Sequence, residues 1–148
     1  MSIENLKTIE SISLDFYNNN IRTINVKQYD SATRYLKISC TEHGKFVKLN
    51  PDTMAAFVRY KKPDGYYVLN NCEIASDGTL LLEFTQQMTI VSGRATADIL
   101  ILDNSNGNFT EELIADGDIE KIYQAALPVL STITFYVNVL LTPIEHAE

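Results

Sequence analysis

Cys40 and His43 stand close enough along the chain for a thiolate and a general base to meet. A cysteine nucleophile also needs an activated pKa, an orienting partner and a pocket. No recognisable arrangement of this kind can be assembled from the two Cys and two His residues present. Cys40 therefore reads as a small hydrophobe before a turn, and His146, in a polar tail, as a solvated side chain. The pairs Glu111-Glu112 and Asp116-Asp118 have the makings of acid/base groups or calcium ligands. Neither has the flanking ligand series of a calcium loop, and glycosidase carboxylates are set by fold geometry rather than by spacing. Capping and solvated-surface roles fit them better. Tyr60, Tyr66 and Tyr67 gather around one turn, where an apolar ring with a polar tip suits a sugar-stacking or protein-binding surface. Against this, adjacent strand residues point to opposite faces, one into the core and one out, and the chain has no Trp. No catalytic residue, cofactor or metal ligand is expected.

Strands must carry these groups. Ile12, Leu14 and Phe16 alternate with Ser11, Ser13 and Asp15, the period of a half-buried strand, and a second strand is expected over 21–29. Asn18-Asn19-Asn20 suits a short hairpin loop between the two, because Asn tolerates left-handed backbone. Leu36, Ile38 and Cys40 share one face of the next strand. His43-Gly44 and Pro51-Asp52 turn the chain, and 54–61 is a strand. Lys62-Pro63-Asp64-Gly65 predicts a hairpin turn, Pro presetting φ and Gly accepting the left-handed end. A return strand then runs over 66–73, Asp77-Gly78 turns again, and Leu80, Leu82 and Phe84 alternate with Leu81 and Glu83. Thr85 to Met88 predicts a short helical turn capped by Thr85. Arg94 to Leu102 follows, with Ala95, Ala97, Ile99 and Ile101 on one face. The last strand, from Thr132 to Leu141, turns Ile133, Phe135, Val137, Val139 and Leu141 inward. The pattern predicts an all-β fold, an antiparallel β-sandwich. One segment breaks the rhythm: Ile119, Ile122, Tyr123 and Ala126 recur at helical spacing between Asp118 and Pro128. That predicts a short helical insertion near 118–127, packed by its apolar face over an end or edge of the sandwich.

At 148 residues and 45% hydrophobic, the chain is of a size to bury roughly 70% of its unfolded surface as one domain. Nothing in it reads as disordered. A net charge of −7 and a pI near 4.8 oppose nonspecific binding to nucleic acid or anionic membrane, which needs clustered Lys and Arg. Cys40 and Cys72 are too few for a disulfide framework or a zinc site and suit a reducing cytosol, with one buried disulfide as the alternative. The first residues lack a basic n-region and an apolar h-region, and no stretch approaches a membrane span, so neither a secretion signal nor membrane insertion is expected. An exported adhesin needs such a signal; a protein that leaves the cell by lysis does not.

Four phrases in order carry a family resemblance: Lys27-Gln28-Tyr29-Asp30-Ser31-Ala32-Thr33-Arg34-Tyr35-Leu36-Lys37-Ile38, then Lys61-Lys62-Pro63-Asp64-Gly65, then Gly93-Arg94-Ala95-Thr96-Ala97-Asp98-Ile99, then Ser131-Thr132 opening a strand through Phe135 and Val137. Together they resemble the N-terminal domain of upper baseplate proteins in tailed phages of Gram-positive bacteria. Tyr29 departs from the small residue expected before Asp30, and 104–128 is longer than the family's usual link into the last strand. The resemblance implies a single domain over 1–148 and a non-enzymatic structural module that attaches a receptor-binding assembly to the baseplate. It also implies baseplate or distal-tail partners, a homo-oligomer of trimeric type, and a place in the virion after assembly in the host cytoplasm. A carbohydrate-binding module of a host-recognition protein is the second reading, and a small hydrolase the third. The candidate interface is Tyr66 with Tyr136 and Leu140, which lie opposite the core residues of the last strand.

Overall fold

The strand pattern builds one continuous sheet. The computed structural model describes residues 8–17, 22–28, 34–105 and 129–141, with positions 107, 109, 110, 112, 121 and 124. Its elements are β1 (Thr8–Asp15), β2 (Thr23–Lys27), β3 (Arg34–Glu42), β4 (Lys45–Phe46), β5 (Met54–Lys61), β6 (Tyr67–Ile74), β7 (Leu80–Glu83), α1 (Gln86–Thr89), β8 (Gly93–Asp103) and β9 (Val129–Leu140). The hydrogen-bonded order is β1-β3-β7-β6-β5-β8-β9-β2, with β4 hanging on β3. The all-β expectation holds.

Chain length forces this sheet to curl. Its edge strands β1 and β2 are seven neighbours apart in the order, about 34 Å if the sheet were flat. The link from Asp15 to Thr23 can span only about 27 Å. Curling brings the inward faces together around one core, which joins Ile12, Leu14, Leu36, Ile38, Leu80 and Leu82 to Val58, Ile99, Phe135, Val137, Ile24 and Val26. The bend falls in β6, whose Ala56↔Cys72 to Lys61↔Tyr67 ladder joins β5 while Glu73 and Ile74 pair with β7.

Several expectations change in detail. The hairpin expected across Asn18-Asn19-Asn20 does not form: β1 pairs with β3 and β2 with β9, at opposite ends of the sheet order and both parallel. A parallel pair needs a long crossover, and here the stretch between β1 and β3 supplies it, with β2 inside it. The ladders from β3 through to β9 are antiparallel. His43 and Gly44, at φ 51 and 84, form a two-residue turn from β3 into β4, the left-handed pair that a tight hairpin requires. The Lys62–Gly65 turn forms as expected, Gly65 N–H donating to Lys62 O at 2.9 Å and Lys62 N–H to Tyr66 O at 2.8 Å. Thr85 stands at the N-cap of α1, yet its side chain makes no capping hydrogen bond. Leu141 is 71% exposed rather than inward, because the last strand ends one residue before it. The helix expected near 118–127, with Ile119, Ile122, Tyr123 and Ala126, lies outside the described residues, except that Lys121 and Gln124 are helical and exposed. Among the described residues no helix is long and apolar enough to cross a membrane.

Candidate interface on the outer face

The two cysteines settle first. Cys40 is fully buried on the inner face of β3, and burial pushes its thiol up to about 12. Cys72 is also buried, free and raised, donating to Leu81 O at 3.7 Å. His43 lies outside, its ring stacked on Tyr17 at 4.6 Å. A buried thiol with a raised pKa is a poor nucleophile, and Cys40 and His43 do not form a catalytic pair. The tyrosine trio also separates. Tyr60 is fully buried, whereas Tyr66 and Tyr67 are 72% and 55% exposed. The alternation expected of Tyr66 and Tyr67 fails because Tyr66 still belongs to the turn and Tyr67 opens β6 beyond the core. A three-tyrosine sugar platform is therefore absent. Among the described residues no cluster of His, Cys, Asp or Glu could hold a metal ion.

The outer face of β2, β9, β8, β5 and β6 divides into two parts. At the end where β8 finishes, both of its faces are apolar. Leu100 and Leu102 join Phe57 beneath Phe109, with Ala55 and Leu69 packed alongside, and the Phe57 and Phe109 rings stack at 5.5 Å. Asn104 holds this lid in place: its amide donates to Phe109 O at 3.0 Å, and its carbonyl accepts from Phe109 N–H at 2.9 Å. Asp103 shapes the turn below, accepting from Ser105 N–H and Oγ at 3.0 and 2.7 Å. Those bonds hold its carboxyl below the usual range. Phe109, from the long 104–128 segment, thus covers this part of the sheet. Sequence reasoning missed this lid, although Ile99-Leu100-Ile101-Leu102 and Ala55-Ala56-Phe57-Val58 are continuous apolar runs, the pattern of strands buried on both faces.

Further along the same strands the outer face becomes cationic and aromatic. Register places Tyr136 between Thr23 of β2 and Thr96 of β8, and the Arg94 guanidinium lies over its ring at 3.7 Å. Asp98 is held by Arg59 at 3.3 Å and by the Thr134 hydroxyl at 2.6 Å. Lys61 lies over Tyr67 and Lys62 over Tyr66, each at 5.9 Å. Leu140 is 50% exposed at the end of β9. Beside it Gln28 N–H donates to Leu140 O, and the Gln28 amide to Ile90 O, each at 2.8 Å. The Lys62–Tyr66 turn comes to this same end. Gly93, at φ 124, leaves so little space that an added Cβ would stand 2.9 Å from Pro63, and Gly93 pairs with Val139. Tyr66, Tyr136 and Leu140 therefore share one end of the outer face. Tyr136 is half-buried under Arg94 rather than a bare apolar ring. The sequence reading missed Arg94, although its place opposite Asn138, one row from Tyr136, follows once β8 and β9 are paired.

The all-β fold agrees with the comparisons. The profile of the BppU N-terminal domain family matches residues 8–115, most of the chain. The chain belongs to this family of phage baseplate upper protein domains, and its class of role is structural. Among solved structures, it is similar to the N-terminal domain of phage TP901-1 ORF48, with a TM-score of 0.58 and 14% identity over 89% of this chain and 98% of that one. At that identity the likeness concerns the fold. No curated protein matches the chain. β9 lies beyond the matched residues, yet it joins β8 to β2 in the sheet.

Proposed function

We propose that this chain is one domain of a non-enzymatic baseplate protein that attaches a receptor-binding assembly to the phage tail, resides in the virion, and works beside distal-tail or other baseplate partners. A trimer of such chains is part of the reading. The observation that carries it is the family match over 8–115. Supporting it, β9 shares the sheet and core with the matched strands, which favours one domain running past residue 115. The outer face supplies tyrosine and arginine, side chains that dominate the energetics of protein interfaces. Gold-labelled antibody against the domain, applied to intact particles and viewed by electron microscopy, tests the proposal. Label at the tail tip is expected; particles that carry no copy of the chain would overturn it.

A further inference from the structure

We propose that the cationic tyrosine face of β9, β8 and β5 docks on an acidic groove of a second copy of this chain, head to tail rather than face to face. This deepens the oligomer in the proposed function by naming its surfaces.

Charge carries the argument. Lys27, Arg59, Lys61, Lys62 and Arg94 lie on this face and its hairpin rim, where the carboxylates among the described residues are Asp98 and Asp64. Asp98 is held by Arg59, and Asp64 lies 3.6 Å from Lys62. Lys61 and Arg94 thus have no carboxylate partner among the described residues and meet solvent over tyrosine rings. The chain as a whole is at −7, so the remainder is more acidic still, and another copy presents the complementary charge.

The groove where the sheet bends offers it. A cleft of about 370 Å³ there is lined by Tyr35, Asn70, Asn71, Glu73, Glu83 and Thr85, with Leu81 as its apolar floor. Lys37, on the same face of β3 as Tyr35, is taken up by Asp77 at 3.0 Å, so the cleft keeps its acidic character. The Arg94–Tyr136 pair suits such a site, because the guanidinium is already held over the ring and loses little freedom on docking.

Symmetry excludes the simpler contact. A face-to-face dimer would set the whole cationic face against its own copy, and like charges across an interface are repulsive. A head-to-tail contact pairs unlike surfaces and leaves one of each free, so it closes as a ring or continues.

Sedimentation velocity of the chain across a concentration series, from about 0.02 M to about 0.3 M salt, provides the test. Association at low salt that weakens as salt rises is expected. K61E/R94E should remain monomeric, as should E73K/E83K, and an equimolar mixture of the two should associate again, since each keeps one intact surface. Circular dichroism of each variant checks folding, and should the groove variant fail to fold, the salt dependence and K61E/R94E still decide. Wild type that stays monomeric at low salt would overturn the proposal, as would association indifferent to salt and to K61E/R94E. A monomer would remove this contact while label at the tail tip preserved the proposed function.

Discussion

The outer face of β5 and β8 is finished in two different ways within a few residues. Around Phe57, Leu100 and Leu102 it is apolar, and the chain covers it with Phe109. Around Arg59, Arg94 and Asp98 it is charged: Asp98 is held by Arg59 and Thr134 where it stands, and Arg94 lies over the Tyr136 ring. Apolar surface left on a sheet gains by removal from water at about 25 cal/mol per Å², so it draws in a lid. A solvated cationic row gains nothing comparable by being covered, which suits the proposal that it meets a partner. The first region contributes folding energy; the second is the surface that the proposal gives to recognition.

Truncating the floor of the lid should show the largest effect. Phe57→Ala removes a fully buried ring that touches both β8 and Phe109, and a loss of about 3–5 kcal/mol is expected in urea or thermal unfolding. A loss below about 1 kcal/mol would mean that the outer cluster is not packed as described. The next effect is smaller. Asn104→Ala deletes both side-chain bonds to the Phe109 backbone and should cost about 1–3 kcal/mol. Faster hydrogen exchange at Phe109 N–H would accompany it, and unchanged protection there would contradict the clamp.

How far the sequence foretold this contrast depends on what local pattern can report. Alternation located the inward residues of β7, of β8 and of β9 as far as Val139, because period 2 is a property of the strand itself, and failed at Leu141 where the strand has ended. The Lys62–Gly65 turn was equally legible, its residue types matching the backbone they must adopt. Strand partners were not. Asn18-Asn19-Asn20 signalled a turn, but a turn signal cannot say that β2 continues to the far edge. Tyr136 and Leu140 were placed on the right face by parity. That Tyr136 lies under Arg94 depends on the β8–β9 register, which no single strand reveals. Leu130 shows the same limit: a shift of register between Ile101 and Leu102 leaves it 50% exposed.

Acid should weaken the turns that lean on β3. Asp15 accepts from Tyr17 N–H, Gly44 N–H and the Thr41 hydroxyl, which lowers its carboxyl to about 2. Asp77, bonded by Thr79 and Lys37, is likewise lowered to about 2. A carboxyl lowered by folding stabilises the fold above its unfolded value of 3.8 and loses that contribution as pH falls toward 2. Urea midpoints should therefore decline over that interval, and Asp15→Asn should flatten the decline. A midpoint that rises on acidification would contradict the assignment.

The smallest change is expected deep in the core. The Tyr60 hydroxyl is buried without a hydrogen-bond partner among the described residues, and burial raises its pKa. Removing an unpaired buried hydroxyl spares a desolvation cost, so Tyr60→Phe should be neutral or stabilising by about 1 kcal/mol. A clear loss of stability would show that the hydroxyl is satisfied.

The division of the outer face is tested most directly by urea unfolding of Phe109→Ala beside Tyr136→Ala. The buried Phe109 ring should cost several kcal/mol, in the range of about 3–5 for a Phe truncation. Tyr136, whose face meets Arg94 near the surface, should cost about 1 kcal/mol. Equal losses, or a larger one for Tyr136, would contradict the account, because they would place folding energy in the region assigned to recognition.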